Sequence, residues 1–116
     1  MTLLIADDSD RIRNMLKNMT GNFFTEIFEC TNGEKAYELY VEKNPDWILM
    51  DILMPVMDGI EATRKIIDAN PRAKIIIVTN FDSEGLRKCA KDAGAYKYVL
   101  KENSTEIIEL FRNQIN

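Results

Sequence analysis

A chain of 116 residues, 46% hydrophobic and 29% charged, has room for one domain that buries roughly two thirds of its unfolded surface, and none for a second. It contains no histidine, which excludes Ser-His-Asp and Cys-His nucleophile pairs, histidine-ligated zinc and imidazole acid–base chemistry from its own side chains. With 15 basic against 19 acidic residues the net charge is −4, the wrong sign for a surface that neutralises nucleic-acid phosphates, so direct nucleic-acid binding is not expected.

The two cysteines, Cys30 and Cys89, form no CxxC pair and read as small core hydrophobes in a reducing cytoplasm. The start MTLLIADD lacks the basic region and long apolar stretch of a signal peptide, and no apolar run approaches about 18 residues. A cytoplasmic protein without membrane contact is expected.

Short apolar runs alternate with longer amphipathic stretches, the pattern of βαβ units around a parallel sheet buried on both faces. Residues 3–6 read as the first strand, followed by a helix with the stripe Ile12, Met15, Leu16 and Met19 that stops near Gly21. Glu26–Cys30, interrupted by charge, reads as a weaker strand suited to a sheet edge. Ala36, Leu39 and Tyr40 mark the second helix, stopped before Pro45, and Trp47–Met50 is the third strand. Asp58 followed three residues later by Glu61 signals the start of the third helix, with Ile60, Thr63, Ile66 and Ile67 on one face and Pro71 beyond its end. Residues 75–78 give the fourth strand. Leu86, Cys89, Ala90 and Ala93 form the apolar stripe of the fourth helix, ended by Gly94. Residues 98–100 give the fifth strand, Asn103 with Glu106 the last start signal, and Ile107, Ile108, Phe111 and Ile115 the last helix. The strand ends fall near positions 7, 30, 51, 79 and 101, about one βαβ unit apart. Residues 1–116 therefore read as a single doubly wound (βα)5 α/β domain, flavodoxin-like, with strand order 2-1-3-4-5.

In such a sheet ligands bind beyond the carboxyl ends of the strands. The first strand ends in Asp7 and Asp8, the third in Asp51, the fourth in Thr79 and the fifth in Lys101, and the strand order makes these ends neighbours. Taken singly, each reads as a helix cap, a turn residue or a solvated lysine. Together they do not, because two carboxylates within ~4 Å repel by about 4 kcal/mol at an effective dielectric of 20, and three call for a cation. Oxygen ligands without His or thiolate select Mg²⁺, with Mn²⁺ as a substitute. A metal, a carboxylate nucleophile, a hydroxyl and a lysine are the parts of phosphoryl transfer to aspartate, with Asp51 as acceptor and Lys101 and Thr79 on the phosphoryl oxygens.

These residues, with Asp51 opening the run DILMPVMDG and Lys101 closing GAYKYVLK, resemble the receiver domain of two-component response regulators over nearly the whole chain. The latter segment looks like the fifth strand of receivers that often precede a helix-turn-helix domain. The resemblance implies that Asp51 is the phosphoacceptor and that Asp8 binds Mg²⁺ directly and Asp7 through water. Asp51 and the backbone carbonyl of Leu53 would share the same ion. It implies phosphoryl contacts from Thr79 and Lys101, and a switch pair of Thr79 and Tyr98, although Tyr98 also fits an ordinary strand aromatic. A sensor histidine kinase or phosphotransfer protein would donate the phosphoryl group. A downstream effector, or a phosphorylation-dependent homodimer, would read the face built from the fourth helix, fifth strand and fifth helix. With no effector domain in the sequence, either partners read that face directly or the chain is a piece of a longer regulator.

Two positions depart from the family pattern, and two more bear on hydrolysis. Glu102 stands where a proline commonly follows the lysine, often after a cis bond; a cis bond without proline costs about 3 kcal/mol, and the loop geometry stays open. Asn80 replaces a small residue after Thr79. Leu53 and Phe81, at the positions that tune hydrolysis, cannot orient a water by hydrogen bonding, so slow self-dephosphorylation is expected. Two other functions fit less well. A turnover phosphatase lacks an acid–base carboxylate at Leu53 and a cap domain, and a flavin-binding reading of Thr20-Gly21-Asn22 places the loop after a helix rather than after the first strand.

Overall fold

The computed structural model describes residues 1–115, in which strands and helices alternate: β1 (Thr2–Ala6), α1 (Asp10–Thr20), β2 (Glu26–Cys30), α2 (Gly33–Lys43), β3 (Trp47–Met50), α3 (Gly59–Ala69), β4 (Ile75–Thr79), α4 (Glu84–Ala93), β5 (Lys97–Leu100) and α5 (Thr105–Ile115). The strands form one parallel sheet in the order β2-β1-β3-β4-β5, as expected. Its register pairs Ala6 with both Cys30 and Met50, Met50 with Ile77, and Thr79 with Leu100, which brings the carboxyl ends of the strands level along one rim.

The continuous apolar runs are explained by burial on both sheet faces. Leu4, Ala6, Ile48, Met50, Ile75 and Ile77 point to one face, under Ala36 and Tyr40 of α2, Ala62 and Ile66 of α3, and Ala90 and Ala93 of α4. Their neighbours Leu3, Ile5, Trp47, Leu49, Ile76 and Val78 point to the other, under Ile12 and Leu16 of α1 and Ile107 and Phe111 of α5. Phe111 anchors that side: its ring meets Phe24 and Trp47 edge-on at 5.1 and 5.2 Å between centroids.

Polar residues before the helices satisfy their first N–H groups. Ser9, Asn32 and Ser83 accept from Ile12, Lys35 and Leu86, and Asp58 accepts from both Ile60 and Glu61. At the other ends, Asn44 and Gly94 adopt left-handed backbone, and Gly94 at φ 101° returns the chain toward β5.

The structure corrects three details. Cys89 is exposed, whereas Cys30 is buried, so the apolar stripe of α4 is narrower than its spacing suggests and rests on Ala90 and Ala93. Asn103 does not cap α5. It closes a one-turn 3₁₀ helix, Lys101–Asn103, and the chain passes through Ser104 before α5 begins. Gly21 stays helical at φ −56° and opens another such turn, Gly21–Phe23, before the chain extends at Phe24. The open question after Lys101 is answered as well, since no cis peptide bond occurs among the described residues.

One contact ties the fold to the polar rim. A Cβ on Gly59, the first residue of α3, would lie 1.8 Å from the backbone oxygen of Asp51. The helix can start this close to the end of β3 only because that residue has no side chain. Gly59→Ala is therefore expected to lower stability by about 3 kcal/mol, the scale of a forced backbone shift in a packed core. Urea unfolding measures it, and a variant within ~0.5 kcal/mol of wild type would contradict the contact.

Candidate functional site: an acidic crevice at the carboxyl end of the sheet

Asp7 follows β1 directly, its N–H donating to the carbonyl of Cys30, and Asp51 follows β3, its N–H donating to the carbonyl of Ala6. The sheet ladder thus continues one residue beyond the strands and locks both carboxylates at its rim. Asp7 is 1% exposed and Asp51 6%, whereas Asp8 on the adjacent turn reaches solvent. One carboxylate oxygen from each of the three lies within 4.8 Å of the others. Lys101, after β5, places Nζ 3.0 Å from Asp7 Oδ2 and 3.5 Å from Asp51 Oδ1.

These groups line a crevice of about 330 Å³ whose rim includes Leu53, Asn80 and Phe81, with Arg11 at its edge. Leu53 and Phe81 are exposed apolar side chains beside the carboxylates. Thr79 does not line the crevice. Its fully buried hydroxyl oxygen accepts the N–H of Phe81 at 3.2 Å. Tyr98 lies away from the carboxylates, and its hydroxyl donates to the carbonyl of Phe81 at 2.6 Å. The peptide groups of Phe81 therefore join the two side chains that the sequence singles out as a pair.

The remaining hydrogen bonds hold the acids in place without neutralising them. Asp7 Oδ1 accepts from the N–H of Ser9, and Asp51 Oδ1 from the N–H of Ile52, each at 2.9 Å. Among the described residues Asp7 Oδ2 has no hydrogen-bond donor and meets Lys101 only as an ion pair. A buried oxygen without a donor, in an all-oxygen set of three acids against one ammonium, fits a hard divalent cation.

Sequence reasoning missed Arg13, whose Nη1 donates to the carbonyl of Asp7 at 2.7 Å while Nε pairs with Glu29 of β2 at 3.1 Å. It anchors the end of β1 to the edge strand. Only the sheet register, which sets Glu29 beside Ile5, brings this pair together, so no local sequence signal marks it. The loop after Asp51 is also unusual: Val56 takes φ 69°, and the N–H of Met57 bonds to the carbonyl of Pro55 at 2.8 Å, closing a γ-turn.

Burial, and then the charge of Asp7, push the Asp51 carboxyl up from 3.8 to about 6, against the opposing pull of Lys101 and the Ile52 N–H. The folded chain therefore binds that proton more tightly than the unfolded chain does. The stability this confers is complete below pH 3.8 and is lost as pH rises through 6, so ionised Asp51 costs the metal-free fold up to about 3 kcal/mol. Asp51→Asn is expected to raise Tm by about 10 °C near neutral pH in a chelator, with a much smaller change near pH 4. Calorimetry at the two pH values checks this, and a lower Tm for the variant at neutral pH would contradict it.

Residues 3–112 match the family model for the response regulator receiver domain. The chain is 41% identical over 99 residues to chemotaxis protein CheY of Halobacterium salinarum, covering 85% of this chain and 82% of that one. It is 38% identical over 108 residues to transcriptional regulatory protein SrrA of Staphylococcus aureus, covering 93% of this chain but 44% of that longer protein. Among solved structures it resembles the CheX–CheY complex of Borrelia burgdorferi with beryllofluoride and Mg²⁺, at a TM-score of 0.87 and 26% identity, covering 100% of this chain and 90% of that one. The chain thus belongs to the response regulator receiver domain family, whose members act in two-component phosphotransfer and signalling rather than as turnover enzymes.

Proposed function

We propose that residues 1–116 work as a single receiver unit in which Asp51 accepts a phosphoryl group from a histidine on a sensor kinase or phosphotransfer protein. A carboxylate oxygen of Asp51 attacks phosphorus, the P–N bond breaks, and the bond pair leaves with the partner's imidazole, which takes up a proton. The observation that carries this reading is the convergence of three acids and Lys101, with Asp51 buried next to a cationic partner. Asp51 lies at the crevice wall with its pKa pushed up by burial to about 6, which is still below neutral pH, so its carboxylate is ionised and more basic than an ordinary one.

Asp7, Asp8, Asp51 and the backbone carbonyl of Leu53 would hold Mg²⁺, or Mn²⁺ in its place, and the ion would supply positive charge for the phosphoryl oxygens. Lys101 contributes the fixed cation on the protein's side, free to exchange part of its contact with Asp7 and Asp51 for the new phosphoryl oxygens. Thr79 donates its hydroxyl proton to another phosphoryl oxygen. Tyr98 follows, because Thr79 holds the N–H of Phe81 and Tyr98 holds the carbonyl of the same residue. The altered face of α4, β5 and α5 is then read by a downstream effector or by a second copy of the chain. With a net charge of −4, these residues do not themselves contact nucleic acid, and any output directed at DNA is carried by another domain or another protein. The place of action is the cytoplasm, in keeping with the absence of any helix among the described residues long and apolar enough to cross a membrane.

Leu53, Phe81 and Asn80 surround the acceptor without an acidic or basic group among them, and Leu53 and Phe81 offer no polar side-chain atom. Water entering in line with the acyl phosphate is therefore excluded rather than oriented, and self-dephosphorylation is slow. Labelling by a kinase that carries a radioactive phosphoryl group is expected to disappear in Asp51→Asn, and full labelling of that variant would refute the acceptor. The double variant Leu53→Asn/Phe81→Glu is expected to lose its acyl phosphate at least about tenfold faster than wild type, as an oriented water would allow. Equal decay in the two proteins would remove the hydrolysis argument while leaving the acceptor intact.

A further inference from the structure

Arg87, in the first turn of α4, faces the loop that joins β4 to α4. Its Nε and Nη2 both donate to Asp82 Oδ1, at 3.3 and 3.2 Å. Its guanidinium carbon lies 4.6 Å from the centroid of the Tyr98 ring. The same ring's hydroxyl donates to the carbonyl of Phe81, and the N–H of Phe81 donates to the hydroxyl oxygen of Thr79. One cation thus closes a continuous chain of contacts, from α4 through β5 and the loop to the end of β4.

The direction of the last bond gives the chain its consequence. A threonine hydroxyl has one proton and two lone pairs. With Phe81 N–H on a lone pair, the Thr79 proton is not spent on the loop and is available to an acceptor. The described hydrogen bonds include none in which the Thr79 hydroxyl is the donor. The loop arrangement that Arg87 supports therefore keeps Thr79 ready to donate.

We infer that Arg87 is a positioning residue of the switch, a latch that holds Tyr98 and the β4–α4 loop in the arrangement that presents the Thr79 proton to an incoming phosphoryl group. This rests on Asp51 being the acceptor. Arg87 touches neither the phosphoryl group nor the carboxylates and acts only through Tyr98 and Asp82. Both contacts are partly solvated, since the Arg87 side chain is 41% exposed and Asp82 71%, so the latch biases an equilibrium and does not lock it. Planarity matters, because a guanidinium can stack on the ring and fork toward Asp82 at once, whereas an ammonium is a point charge.

The test measures the apparent affinity of the full chain for beryllofluoride with Mg²⁺, by ¹⁹F NMR, in wild type, Arg87→Gln and Arg87→Lys, and in the same series carrying Tyr98→Leu. Arg87→Gln is expected to bind about threefold to tenfold more weakly, the combined scale of a partly exposed cation–π contact and a surface ion pair. Arg87→Lys should recover part of that loss. In the Tyr98→Leu background Arg87→Gln should cost clearly less, because only its contact with Asp82 remains. Unchanged affinity in Arg87→Gln, even with a lowered Tm, would overturn the latch, as would an undiminished loss in the Tyr98→Leu background. Failure of wild type itself to bind the mimic would instead overturn the acceptor assignment on which the latch depends.

Discussion

Two buried carboxylates share a single ammonium at the rim of this sheet. Asp7 and Asp51 both meet Lys101, Asp8 stands beside them, and the three acids outnumber the one base within the crevice. The participants come from the ends of three strands, so the cluster exists only when β1, β3 and β5 are in register across the sheet. The fold consequently concentrates negative charge where it is poorly solvated and keeps Asp51 at about 6. A dication would bring the cluster to neutrality. Binding to the folded state alone would then return stability by mass action, which couples occupancy of the site to rigidity of the rim.

The backbone around the cluster is adapted to this charge. Gly59 lets α3 begin against the carbonyl of Asp51, and Arg13 pins the carbonyl of Asp7 from α1. Val56 accepts a positive φ within the loop between them, a conformation that costs a β-branched residue of order 1–3 kcal/mol. Such departures from local preference gather around Asp51 and not in the β1 to β4 core, where apolar residues alternate cleanly between the two faces. That distribution is expected when the interior supplies the stability and the rim uses part of it to hold reactive groups together.

How much of this is legible in the sequence depends on the range of the interaction. The strands and the acidic pocket are legible because each apolar run is followed at once by its polar residue: Asp7 after residues 3–6, Asp51 after Trp47–Met50, Lys101 after residues 98–100. Strand order then brings these ends together without further information. Cys89 misleads because it occupies a helical apolar period yet lies on an open groove beside α3 and stays exposed, so spacing alone overstates the buried width of α4. Asn103 misleads because Lys101 must first turn back toward Asp7, and that turn consumes the residues that would have begun the helix. Arg13 and Arg87 leave no trace in the sequence, since Glu29 and Tyr98, which they reach, lie on other elements and an arginine on a helix reads as solvated surface.

The longer-range consequence concerns how a local charge change leaves the crevice. Thr79 is buried and lies outside the crevice lining, so a signal carried by its hydroxyl must pass through what that hydroxyl holds. It holds the N–H of Phe81, whose carbonyl on the same residue holds Tyr98. Phe81 also presents its own side chain at the crevice rim. A single residue therefore touches the site through its ring and both Thr79 and Tyr98 through its peptide groups. Rotation of either peptide would reach Tyr98 on the strand that borders α4, without any displacement of the apolar residues that fix the sheet. The core can stay close-packed and invariant while the rim changes state, because the coupling runs through hydrogen-bonded backbone at the loop and not through the packed interior.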